Sequence, residues 1–136
     1  MEFSVASLRQ YYEHHNLPTN NSIKSRWNKL VPKKTNIFMW RLRHDYLPNF
    51  LNLFAKGVDV TTFTCVLCSN DLDVSTHLFR HCKLASEIRV LLCNWTKKDI
   101  PNEDVDGVLE WCDNLNHHRK IKDRLEAIMF VGWWYI

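Results

Sequence analysis

The stretch CVLCSNDLDVSTHLFRHC, residues 65–82, places three cysteines and two histidines within eighteen residues. Cys65 and Cys68 form C-x2-C, eight residues separate Cys68 from His77, and His77 and Cys82 form H-x4-C. A C-x2-C turn aims two thiolates at one point, and a second pair from a following turn or helix closes a tetrahedron, so the spacing suits zinc held by a Cys3His set. The competing histidine, His81, adjoins Cys82, and neighbouring side chains point apart, so geometry favours His77. His77 and Cys82 converge only if the helix beginning near Ser75 loosens before Cys82, because five residues of a regular helix turn about 140° past a full circle.

A site of this kind is expected to be structural. Three thiolates and an imidazole fill all four positions and leave none for a reacting water. Zinc deaminases place H-x-E ahead of P-C-x-x-C, and neither that order nor the glutamate occurs here. A thioredoxin-like role needs C-x-x-C beside a βαβ pattern, which is missing. The competing reading, unconnected buried cysteines, requires four ligand residues to fall at these intervals by chance. Cys93 and Cys112 lie on apolar helix faces and read as core, while His14-His15 and His117-His118 stand in polar contexts and read as solvated.

The elements that must carry these residues read as helices. With 46% apolar residues but only three glycines and four prolines among 136, the composition favours helix over a turn-rich sandwich. Ser4 can cap a first helix carrying Leu8, Tyr11 and Tyr12, followed by a loop at LPTNN, residues 17–21. A second short helix is expected over 22–30. KKTNIFMWRLRHD follows Pro32, with an apolar cluster too wide for one solvated stripe, and is expected to be a central helix. In LPNFLNLFAKG, Pro48 marks a helix start and Gly57 a left-handed C-terminal cap. DVTTFT, residues 59–64, is the one β-leaning run and leads into the cysteines.

Beyond Cys82, Leu84, Ile88, Leu91, Leu92 and Trp95 recur at amphipathic helical spacing and are expected to face inward. Pro101 and Asn102 open a helix with Val105, Val108, Leu109, Cys112 and Leu115 on its inner face. A last helix should run from about Arg119 through Ile121, Leu125, Ile128 and Met129. The terminal LEAIMFVGWWYI is too short for the roughly twenty residues that cross a bilayer and contains Glu126, so it reads as a core helix whose continuation lies beyond this chain. The expected fold is a small all-α domain with one zinc knuckle and no more than a short β-hairpin at the C-x2-C turn. About 136 residues suffice for one modest core.

Charge is unevenly spread. Residues 1–58 carry nine Lys/Arg and three acids, while residues 59–136 carry nine Lys/Arg and twelve acids. From His14 to His44 no acid occurs in 31 positions, whereas Lys24, Arg26, Lys29, Lys33, Lys34, Arg41 and Arg43 supply seven positive charges. Trp27 and Trp40 are interleaved with them, a mixture that suits phosphate contact and base stacking, although both tryptophans also fit core faces. The stretch from Asp99 to Asp113 holds six carboxylates and no Lys/Arg. It can either pair with the basic segment or keep that end soluble. No secretory signal opens the chain, and five cysteines in a reducing compartment suit metal ligation better than disulfides, so an intracellular location, nucleus or cytoplasm, is expected.

Several motifs together resemble the zinc-binding domain that follows the polymerase in plant LINE-type, non-LTR retrotransposon reverse transcriptases. They are FSVASL, then W-x-x-L-V-P-K-K-x-x-I-F-M-W-R-L at 27–42, Leu47-Pro48, C-V-L-C, H-L-F-x-x-C, and the downstream Ala85 and Trp95. The resemblance covers residues 3–95. It implies that Cys65, Cys68, His77 and Cys82 ligate one structural zinc, and that the domain serves a polymerase copying element RNA at a nicked DNA target. The organisation then expected is a zinc-binding domain over 1–95, comprising a basic helical part at 1–58, the knuckle at 59–83 and a helix at 84–95, with a truncated helical extension at 96–136. This length has no room for a polymerase palm or an endonuclease, so no enzymatic activity is expected. RNA or DNA is the expected partner through the seven basic residues, together with other parts of a reverse transcriptase, and no membrane or small-molecule substrate. A protein-interaction module and an inert remnant of a decayed element are the competing readings.

Overall fold

The computed structural model describes residues 23–136. The expected first helix, the loop at 17–21 and His14-His15 lie outside the described residues. Within them the fold is helical, as expected: α1 spans Lys33–Arg43, α2 Phe50–Ala55, α3 Lys83–Thr96, α4 Val105–Asn114 and α5 Arg119–Trp134, with a π-helical segment at His77–His81 before α3. The β-leaning run yields one isolated antiparallel bridge between Thr64 and Leu72 and no sheet among the described residues.

The central helix is α5 rather than α1. It packs against α1, α3 and α4 because its apolar residues are not confined to one stripe: Leu125, Ala127, Met129, Phe130 and Trp133 are all buried. The principal core joins Ala127, Met129, Phe130 and Trp133 to Val31, Met39, Leu42, Ile100, Val108 and Leu109. Residues beyond 96, expected as an extension, therefore supply much of the surface on which α1 packs. Gly132 permits close approach of α3, since a Cβ there would lie 2.9 Å from Leu92 Cδ1. On α3 itself the inward face is narrower than the periodicity indicates. Ala85 is buried and Ile88 and Leu92 half-buried, but Leu91 and Trp95 are 65% and 71% exposed. On α5, Ile121 is likewise exposed.

No helix forms over the described part of 22–30; the chain there runs irregularly into a turn. Its backbone is served by side chains instead. Asn28 N–H donates to Asn36 Oδ1, and Asn36 Nδ2 donates back to the Asn28 carbonyl, each at 2.9 Å. Asn28 Nδ2 also reaches Glu126 Oε2 at 2.9 Å and the Asp123 carbonyl at 2.8 Å. A helix would withdraw the groups that make these bonds, and the buried asparagine pair offers the backbone a competing set of partners.

Helix ends follow their cap chemistry. In α2, Asn49 Oδ1 accepts from Asn52 N–H at 2.8 Å, and Gly57 takes the left-handed conformation, φ 78°. Gly57 N–H donates to the Phe54 carbonyl and Val58 N–H to the Leu53 carbonyl, the paired bonds of a Schellman motif. In α4 the cap is Asp104, whose Oδ1 accepts from Gly107 N–H at 2.7 Å, so this helix starts later than Pro101 suggests.

Candidate metal centre

The knuckle is built by three local features. The Cys65 N–H donates to the Asp71 carbonyl at 2.7 Å and the Ser69 N–H to the Cys65 carbonyl at 2.8 Å, with Ser69 left-handed at φ 58°. These bonds curl 65–71 so that both thiols of C-x2-C point inward. The chain then returns through the Thr64–Leu72 bridge to Ser75, where a helical turn starts. The loosening required by H-x4-C is the π-helical segment: Cys82 N–H donates to the His77 carbonyl at 2.7 Å, an i to i+5 bond. One extra residue in the turn lets Cys82 sit over His77.

The ligating atoms of Cys65, Cys68, His77 and Cys82 consequently lie within 4.8 Å of one another. Cys65 Sγ is 3.9 Å from Cys82 Sγ, and Cys68 Sγ is 3.2 Å from His77 Nε2. A tetrahedron with metal–sulfur bonds of about 2.3 Å has sulfur–sulfur edges of about 3.8 Å, so the four donors fit such an ion. Cys65, His77 and Cys82 are buried and Cys68 half-buried, which gives a closed site. His81 is exposed and stands outside the set.

Electrostatics separates the thiols. The neighbouring Asn70 backbone draws the Cys68 thiol down to about 7, while burial pushes Cys82 up. His77 presents Nε2 to the thiols and turns Nδ1 toward Asp71, whose Oδ2 is 3.4 Å away without hydrogen-bond geometry. A carboxylate that accepts from the far nitrogen of an imidazole sets its tautomer and orientation, and Asp71 lies beside that nitrogen without making the bond. Asp71 was not singled out in the sequence, although a carboxylate between two ligand pairs is a usable signal. A second aspartate, Asp73, is buried and accepts from Phe50 N–H at 2.8 Å, tying α2 to the knuckle.

Residues 3–88 match the family described as zinc-binding in reverse transcriptase. The chain belongs to that family. The match spans well over half of the chain and includes all four clustered residues. No curated protein and no solved structure matches it. In this member of the reverse transcriptase zinc-binding family, the whole of α4 and of α5 lies after the matched residues yet completes the core under α1.

The seven basic residues are not brought together. Arg26 forks onto Asp113 at 2.7 and 2.9 Å and donates through Nε to Glu126 Oε1 at 2.6 Å. The Asp113 hydrogen bonds hold the Arg26 guanidinium well above its ordinary value and the Asp113 carboxyl below its own. Arg43 pairs with Asp106 at 2.6 Å and donates to the Lys24 carbonyl at 2.8 Å. The acidic stretch thus pairs with the basic segment, and these two arginines are internal fasteners. Lys24, Lys29, Lys33, Lys34 and Arg41 are exposed, with no carboxylate partner among the described residues. Lys34 Nζ lies 5.4 Å from the Trp134 ring centroid. Trp27 and Trp40 are solvent-facing rather than core, at 58% and 44% exposed. Cys112 is core and burial pushes its thiol up to about 11; Cys93 is half-buried against the same core and accepts from Ile100 N–H at 3.4 Å. His117 lies 2.6 Å from Lys98 Nζ, and His118 caps α5. No helix among the described residues is long and apolar enough to cross a membrane.

Proposed function

We propose that this chain is a zinc-stabilised nucleic-acid-binding module of a LINE-type reverse transcriptase, contacting template RNA or target DNA phosphates and carrying no polymerase activity itself. Zinc is the ion that best suits three thiolates and one imidazole in a closed tetrahedral set. The observation that supports binding is the distribution of positive charge after internal pairing. Lys24, Lys29, Lys33, Lys34 and Arg41 remain on the surface with Trp27 and Trp40 among them, the combination that neutralises phosphates and stacks bases.

The test is filter binding of the zinc-loaded protein to single-stranded RNA, single-stranded DNA and duplex across a salt series. Replacing Lys29, Lys33, Lys34 and Arg41 with glutamate should weaken binding and reduce the slope of log affinity against log salt by about 3 for single strands. Unchanged affinity and slope would place the binding face elsewhere. A protein-interaction module is the second reading, favoured by the exposed Leu91 and Trp95 of α3. An apolar interface of that kind would not weaken with added salt.

A further inference from the structure

The C-terminal end of α1 carries an exposed aromatic group. Lys33, Ile37, Trp40, Arg41 and His44 recur along one side of the helix, and all but the half-buried His44 are exposed. The Trp40 and His44 rings are 4.9 Å apart, Trp40 and Tyr46 5.6 Å, and His44 and Tyr46 5.6 Å and nearly parallel at 17°. Tyr46 reaches this position because α1 ends in a second Schellman motif. Its N–H donates to the Arg41 carbonyl at 2.8 Å and that of Asp45 to Leu42 at 3.1 Å, so the chain folds back over the last turn.

The residue at the turn is Asp45, left-handed at φ 53°, a conformation that most residues other than glycine avoid and that aspartate adopts more readily than they do. The surroundings hold it there: Asp45 Oδ1 accepts from Ser75 Oγ at 2.7 Å and from Asn52 Nδ2 at 3.2 Å. Both bonds engage the same oxygen of the Asp45 carboxylate. The exposed Trp40 and Tyr46 rings and the half-buried His44 stand next to Arg41, which has no carboxylate partner among the described residues.

We propose that Trp40, His44 and Tyr46 form a stacking site for an unpaired base of a single-stranded nucleic acid, with Arg41 and Lys33 taking the adjoining phosphates. It rests on the nucleic-acid reading above. A base in an intact duplex has both faces covered by its neighbours, whereas a single strand offers a free π-face to an aromatic side chain.

The experiment compares oligothymidylate of about twelve nucleotides, within the usual span of such sites, with a duplex of equal length. The proteins are full-length wild type, Trp40→Ala, Trp40→Phe, Tyr46→Ala and, as a control at a distant exposed tryptophan, Trp95→Ala. Trp40→Ala should weaken single-strand binding about ten-fold with its salt slope unchanged, since a stacked base and no phosphate contact is lost. Trp40→Phe should retain most of the affinity, Tyr46→Ala should weaken it several-fold, and Trp95→Ala and all duplex affinities should stay near wild type. Wild-type single-strand affinity in both alanine variants overturns the stacking site while leaving nucleic-acid binding intact. Equal losses on duplex and single strand, or a Trp40→Ala protein with reduced helicity and an undiminished Tyr46→Ala protein, overturn it as well. Absence of binding by wild type to either probe removes the underlying reading and the stacking site with it.

Discussion

Glu126 shows how a single charged side chain sets the arrangement of an apolar helix. It sits in LEAIMFVGWWYI, is 8% exposed, and accepts from both Arg26 and Asn28. Removing it leaves Arg26 Nε without its acceptor at the edge of the core, while Arg26 keeps Asp113 and Asn28 keeps the Asp123 carbonyl, and an unpaired buried partner costs more than the pair contributes. Glu126→Ala should therefore destabilise by about 2 to 4 kcal/mol in urea unfolding, against under about 0.5 kcal/mol for Arg41→Ala. Asp113 adds a pH signature. Its carboxyl is held below the ordinary 3.8 by Arg26, so its stabilisation is present above that value and is lost as pH falls through the lower, folded-state value. Asp113→Asn should flatten the fall in urea midpoint between about pH 5 and pH 2, and an unchanged profile would remove this carboxylate from the acid response. At this scale the sequence reveals ligand types and spacing but not the partners of a charge. H-x4-C could be argued from helical geometry, whereas the pairing of Arg26 with residues 87 and 100 positions later could not.

Among the elements, the cap at Gly57 was legible and the one at Asp104 was not, while the inner faces of α4 and most of α5 were legible and those of α1 and α3 were not. Gly57 after FLNLFAK announces its left-handed cap, because glycine alone pays no steric penalty there. Nothing lies within 4 Å of a Cβ at that position, so Gly57→Ala should cost about 1 kcal/mol from backbone strain alone, measured as a shifted thermal midpoint with unchanged helicity. A larger loss would mean that the Val58 turn also carries packing. The Schellman end at Asp45 was hidden, since aspartate seldom takes that conformation. The faces of α1 and α3 misled for another reason. Periodicity reports where apolar residues can align, yet Ile37, Trp40, Leu91 and Trp95 align and remain exposed. A core reached by only one side of each helix leaves the remaining apolar positions in water.

Across the molecule the two cores are of different kinds. The larger one, under α1, α4 and α5, contains none of the four clustered residues, while the smaller consists of Cys65, Cys82 and Ala85 with half-buried neighbours. Three cysteines and an imidazole drawn together without an ion lose solvation and repel as thiolates, so the knuckle depends on metal far more than the larger core does. α2 shares that dependence: it has no buried residue and is tied to the knuckle through Asp73, Ser75 and the Phe54–Phe63 contact at 5.2 Å. Chelation, or Cys68→Ser, should consequently divide the protein. Amides of 50–82 should exchange with solvent within seconds to minutes once metal is removed, whereas those of α5 stay protected by the larger core. Hydrogen exchange with and without a chelator measures this directly, and restored zinc should return protection to 50–82 in the wild type alone. Uniform loss of protection through α5 would show that the knuckle governs the whole fold, and retained protection at 65–82 without metal would show that the knuckle needs no ion.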